Sequence, residues 1–219
     1  MTAGYTIAGA AGPLRAAAGK LCHGARLADI DGHVGRQAGI VPADVDRMRS
    51  EADPMTTPTD IAAWRVALGS PDVAVRVDAA EHLCRAGTAA APAVADLVRA
   101  CGDGDDQVRE WAGAALEELG PPPTDTLAHL VPLVEAAAPL SAYWAVTLLG
   151  RAGAAAAAAL PVLTRRLAGP GDPAVRQRVA WALGKIGPDA PAREALTQAA
   201  AEPDPRLARL AAEALAAAG

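Results

Sequence analysis

The feature that most constrains this chain is a repeat with a period near 33 residues. A register set on Arg76, Arg109, Ala142, Arg176 and Ala208 finds leucine seven positions later in every unit, at Leu83, Leu116, Leu149, Leu183 and Leu215. Glycine follows at eleven positions, at Gly87, Gly120, Gly153, Gly187 and Gly219. Self-similarity at such a period marks a solenoid or array, in which each unit buries its apolar face only against its neighbours.

The columns have a physical reading. Offsets −1, +3, +7 and +10 lie on one side of a 3.6-residue helix, and a glycine just beyond suits the left-handed residue that closes one. Four positions before the register residue stand Asp72, Asp105, Asp172 and Asp204, where a short carboxylate caps free N–H groups. The third unit has Ala138 there, with Pro139 to start the helix instead. Second helices are expected at about 91–101, 124–138, 154–168 and 189–200, each with a proline near its start (Pro92, Pro132, Pro161, Pro191); Pro132 sits deepest and is expected to kink its helix. Residues 59–69 read as the second helix of an incomplete leading unit. Leu149 lies in the central unit, flanked on both sides, whereas Leu215 has one neighbour only.

Composition agrees with thin, closely stacked helices. The chain has 58 alanines and no phenylalanine, with four Trp and two Tyr, so a core built on aromatic packing is excluded. Alanine has the best helix propensity and no bulk to hold helices apart. The net charge of −5 gives no general attraction to nucleic acid or anionic membranes. Cys22, Cys84 and Cys101 are odd in number and lack CxxC spacing, which fits a reducing cytoplasm. No basic region followed by a compact apolar run opens the chain, and the apolar run 154–163 is about half the ~20 residues a membrane helix needs. A soluble, cytoplasmic monomer is expected.

The stretches SPDVAVRVDAAEHLCRAG (70–87) and LPVLTRRLAGPGDPAVRQRVAWALGKIG (160–187) resemble HEAT repeats, specifically the short bacterial kind grouped with phycobilisome-lyase-like repeats. The likeness covers about 59–219. The DxxVR signature is intact at 72–76, 105–109 and 172–176, degraded at 204–208, where Leu207 and Ala208 replace Val and Arg, and absent from the third unit. The resemblance implies an all-α, right-handed α-solenoid of antiparallel helix pairs, about five units starting near 70, 103, 136, 170 and 202, within a repeat domain at 56–219. Residues 1–55 carry no copy of the repeat and balance six basic against six acidic residues. They read as a Gly-rich extension, either poorly ordered or, since translation from Met55 would yield the repeat domain alone, not part of the native product.

Motifs for chemistry are missing. His23, His33, His82 and His129 form no paired His-Glu motif. The Asp103, Asp105, Asp106 run lacks the glycine and glutamate of a calcium loop and reads as an inter-unit loop ending in an N-cap. GxSxG, GxxxxGK[ST] and GxGxxG are absent. No catalytic residue, cofactor or metal is therefore assigned.

Two residue groups are candidates for partner binding. Trp111 and Trp144 share offset +2, off the apolar stripe, and are either covered by a neighbouring helix or available as anchors. Trp181, at +5, points nearly opposite the stripe and is expected to be exposed. Arg99, Arg165 and Arg166 fall on second helices. The register arginines Arg76, Arg109 and Arg176 each have an aspartate at i−4, so as a phosphate ladder they are locally neutralised. The reading favoured is a non-catalytic scaffold or adaptor that binds a protein or peptide on its curved surface. One alternative, carried by the resemblance alone, is a bilin lyase-like enzyme or enzyme subunit; a second, disfavoured by the neutralised arginines, is nucleic-acid binding.

Overall fold

A computed structural model describes residues 57–217; the extension 1–55 and Gly219 lie outside the described residues. Ten α-helices and short 3-10 turns account for the regular structure, and the described residues contain no strand. We number the helices α1 (Pro58–Ala67), α2 (Val73–Arg85), α3 (Val94–Ala100), α4 (Asp106–Glu118), α5 (Leu127–Leu130), α6 (Pro139–Ala152), α7 (Leu160–Ala168), α8 (Pro173–Ile186), α9 (Ala190–Ala200) and α10 (Pro205–Ala216). Even-numbered helices are the first helices of five units. Odd-numbered ones are second helices, α1 being that of the leading partial unit. The described residues form an α-solenoid.

Each first helix begins as its sequence dictates. The side chains of Asp72, Asp105, Asp172 and Asp204 accept hydrogen bonds from backbone N–H groups of the first turn. Ala138 makes no such bond, and α6 opens on Pro139. Closure follows the glycine column at three of the four described units: Gly87, Gly153 and Gly187 have φ of +54°, +57° and +96°. Gly120 does not, which corrects the expectation for that unit. Leu119 already leaves α4 in extended conformation, and Gly120 precedes Pro121, whose ring pushes the preceding residue toward extended backbone.

Second helices are less regular than their spacing implies. The turn Gly87–Ala93, which contains Pro92, leads into α3 as a 3-10 helix, and Gly153–Ala159 does so before α7, with Ala156 off helical geometry. Pro132 breaks the third one outright: α5 is a single four-residue turn, followed by the 3-10 segment Val131–Glu135. Residues Pro139–Ala168 are long and apolar enough to cross a membrane, but Gly153 divides them and half of their most apolar stretch is buried in the protein.

The leucine column is the core. Leu83, Leu116, Leu149 and Leu183 are fully buried, while Leu215 in the last unit is half-buried. At offset −1, Val108, Ser141, Val175 and Leu207 are buried, but Val75 is 40% exposed. Among the described residues no first helix precedes α2, so its outer side, with Val75, Asp78 and His82, is exposed. Ser141 through Gly150 are all buried in the central α6.

Close approach between first helices is set by small residues. A Cβ on Gly184 of α8 would fall 2.9 Å from Cα and Cβ of Ala214 in α10, and one on Gly150 of α6 would collide with the Trp181 ring of α8. Gly113 of α4 is different, its nearest neighbour being Trp144 Nε1 at an ordinary 3.8 Å. Gly184→Ala is therefore expected to destabilise by roughly 1–3 kcal/mol through overpacking. Gly113→Ala, which adds only helix propensity, is expected to stabilise by about 0.5–1 kcal/mol. Urea unfolding of the two variants checks both signs.

Candidate functional site

The register arginines join successive units. Arg76 of α2 donates through Nε and Nη2 to Asp103 at 2.7 and 2.9 Å, in the loop that leads into the next first helix, and through Nη1 to Ser70 O. Arg176 of α8 does the same with Glu202, at 2.8 and 2.6 Å, while its Nε and Nη2 also donate to Leu167 O. Both acids lie six positions before the next register residue. The i−4 aspartates are occupied as helix caps, so the partner that neutralises these arginines comes from the adjacent unit. Such two-point arginine–carboxylate pairing is the strong form of the ion pair, and these side chains are largely buried.

Each carboxylate titrates accordingly. The hydrogen bond from Arg76 holds the Asp103 carboxyl below the usual carboxylate range, and Arg176 does so for Glu202. Asp204, which caps α10, is lowered first by the hydrogen bond from Gln177 of α8. Arg109 departs from the pattern. Six positions before the third register residue stands Ala136, and the Arg109 guanidinium pairs instead with Asp106 of its own helix and with Asp103 O.

A second set of arginines lies among aromatic rings. Arg178 of α8 sits over Tyr143 of α6 (4.6 Å to the ring centroid) and Trp181 (4.9 Å), and donates to the Tyr143 hydroxyl. Arg151 of α6 sits over Trp144 at 5.7 Å, and its Nη1 donates to Leu116 O and Leu119 O at the end of α4. Burial lowers the Arg151 pKa from its ordinary value.

These contacts decide between the two readings of the tryptophans. Trp144 is 3% exposed; it is covered, and as a partner anchor it is corrected. The cause is the offset itself, since +2 faces the preceding first helix. Trp181 is half-buried rather than exposed, with its ring over Gly150 and Arg178 against it. Trp111 is half-buried on α4. Trp64 of α1 stacks in parallel on the exposed His82 at 4.9 Å.

The second-helix arginines remain at the surface. Arg99 pairs with Asp96 at 2.9 Å, and the same carboxylate takes Arg65 at 2.7 Å. Arg165 pairs across units with Glu135 at 2.8 Å. Arg166 is half-buried beside Gly171, and its Nε has no hydrogen-bond partner. No group of three or more His, Cys, Asp or Glu side chains comes together among the described residues.

With this geometry in place, comparison with known proteins is informative. Residues 127–216 match the family model described as HEAT repeats. No curated protein matches the chain. Among solved structures, a designed armadillo repeat protein in complex with the peptide (KR)4 is similar over 73% of this chain and 82% of its own, with 16% identity and a TM-score of 0.52. An engineered protein is similar over 72% of this chain, with 22% identity and a TM-score of 0.51; the matched part is 47% of its length, so the chain spans about half of it. At these identities the likeness shows the fold alone, an α-solenoid.

Sequence reasoning missed the acids at Asp103 and Glu202 as partners of Arg76 and Arg176, and missed Arg151 and Arg178 altogether. The signal for the first was present: an acid two positions before the capping position follows two of the three register arginines, Arg76 and Arg176, and is missing after Arg109. Asp103→Asn tests the joint. Because its folded-state pKa is depressed, this carboxylate contributes stability that is complete above about pH 4 and is lost as pH falls through the folded value. The variant is expected to be less stable than wild type at pH 7, with the gap closing below about pH 4; thermal melts across pH check it.

Proposed function

We propose that this chain is a non-catalytic scaffold or adaptor that binds a protein or peptide on the surface formed by its second helices. The observation that carries the reading is where the arginines go. Four of the first-helix arginines, Arg76, Arg151, Arg176 and Arg178, are taken up by the stack on carboxylates, carbonyls and rings, and the exposed Arg85 and Arg209 pair within their own helices, while Arg65, Arg99, Arg165 and Arg193 of the second helices are exposed. Asp96 serves both Arg65 and Arg99, which leaves a positive charge uncompensated beside α3. An exposed pair of this kind is worth little internally and exchanges readily for a partner's carboxylate. Repeat solenoids offer such extended surfaces generally, and the designed armadillo relative holds a peptide.

The bilin lyase-like reading, which belongs to the phycobilisome-lyase-like subtype, finds little support in the described residues. Two hollows, of about 240 Å³ lined by Ile61, Arg65 and Pro92 among others, and about 220 Å³ lined by Val94, Leu119 and Pro121–Pro123, are shallow. Small-molecule sites run to roughly 300–1,000 Å³. Nucleic-acid binding is disfavoured because the register arginines Arg76 and Arg176 are bound by Asp103 and Glu202 and the net charge of −5 gives no general attraction to phosphates. A reducing cytoplasm is the location we propose, in keeping with the odd number of cysteines and the absence of CxxC spacing; burial pushes the Cys101 thiol pKa up, which makes it inert.

Full-length protein as bait in its source cell extract, beside an Arg99→Glu/Arg165→Glu variant, tests the reading. A protein retained by the wild type and lost with the double variant is expected. Saturable binding of a linear tetrapyrrole, or of DNA with a steep salt dependence, in place of protein capture would contradict it.

A further inference from the structure

The stack is not uniform along its length. α2 lies against α4, α6 against α8, and α8 against α10, but α4 and α6 do not approach in the same way. Four other irregularities fall at this one joint. The arginine–carboxylate tie is missing, since Ala136 stands where Asp103 and Glu202 stand elsewhere. The first helix that follows is the one without a side-chain cap. Helix α4 is the one whose closing glycine lacks positive φ, and the second helix between is broken into a single α-turn and two 3-10 segments.

Two contacts span the joint, one at each end of α6: at its start Ala138 and Ser141 close on Gly102 of the loop after α3, and toward α4 it sends two side chains. Arg151 Nη1 donates to Leu116 O and Leu119 O at 2.9 and 2.6 Å. Trp144 fills the space toward Gly113 and lies under the Arg151 guanidinium. Between these two contacts α4 and α6 lack the helix-on-helix approach that Gly184–Ala214 and Gly150–Ala182 give the other joints. Interfaces with few close backbone contacts are where sub-global opening concentrates.

We infer that the solenoid has a hinge between α4 and α6, with Arg151 as its pivot, about which residues 58–119 turn against residues 139–217. Each block carries its own arginine tie, Arg76–Asp103 in the first and Arg176–Glu202 in the second, so each moves as a body. Bending there changes the curvature of the second-helix surface, because Arg165 lies on one side of the joint, Glu135 in the segment that connects the blocks, and Arg65, Asp96 and Arg99 on the other side. This is hinge motion between packed layers, absorbed by a short irregular segment.

The test measures distances by electron paramagnetic resonance in the full-length chain. Nitroxides are attached to p-acetylphenylalanine placed at the exposed positions 78 and 185, which leaves the three cysteines untouched; positions 185 and 209 give the control pair within one block. The cross-joint distribution is expected to be about twofold broader than the control, as inter-block rotation on top of label motion requires. Ala136→Asp, which gives Arg109 the carboxylate that Arg76 already has, is expected to narrow it toward the control. A wild-type cross-joint distribution as narrow as the control overturns the hinge. Because that measurement needs only labels at exposed sites, it stands whether or not the Ala136→Asp variant folds.

Discussion

The structure depends on how closely consecutive first helices approach one another. Gly184 meets Ala214, and Gly150 meets Ala182 and Trp181, at separations no side chain on the glycine would tolerate. Helices at this spacing bury their flanks with little bulk, which is why a chain with no phenylalanine and 58 alanines closes a core at all. The leucine column supplies the volume that alanine cannot. Central α6 is buried through ten successive residues because helices pack on it from several sides.

Polar interactions then set register along the stack. Aspartate caps fix where each first helix begins. The Arg76–Asp103 and Arg176–Glu202 pairs tie one loop to the next, so position along the solenoid is specified by charge as well as by packing. Ala208 and Ser70 stand where a tie would reach beyond the two ends of the described stack, and neither is charged. The joint between α4 and α6 replaces this scheme with Arg151 and Trp144.

Much of this was legible in the sequence because it is periodic. The Leu column, the Asp caps, the proline start of α6 and the disruption at Pro132 each follow from a residue type at a fixed offset. What the sequence concealed depends on neighbours in space. The Gly120 backbone is governed by Pro121 rather than by the helix it follows, and Trp144 is covered because offset +2 turns toward the preceding unit. Val75 is exposed although its column is apolar, since burial there comes from the preceding first helix. The second-helix candidates Arg99 and Arg165 were readable as surface residues; Arg99 pairs with Asp96 of its own helix, whereas the Arg165–Glu135 pair crosses between units and left no local mark.

The repeat units form a one-dimensional stack, in which each layer is held chiefly by the layers beside it. Leu149 is fully buried between two neighbours, and Leu215 is half-buried with one. Denaturant unfolding of Leu149→Ala and Leu215→Ala tests this most directly. Leu149→Ala should cost roughly 2–5 kcal/mol, as a buried truncation does, and Leu215→Ala clearly less; equal losses at the two positions would contradict the stack.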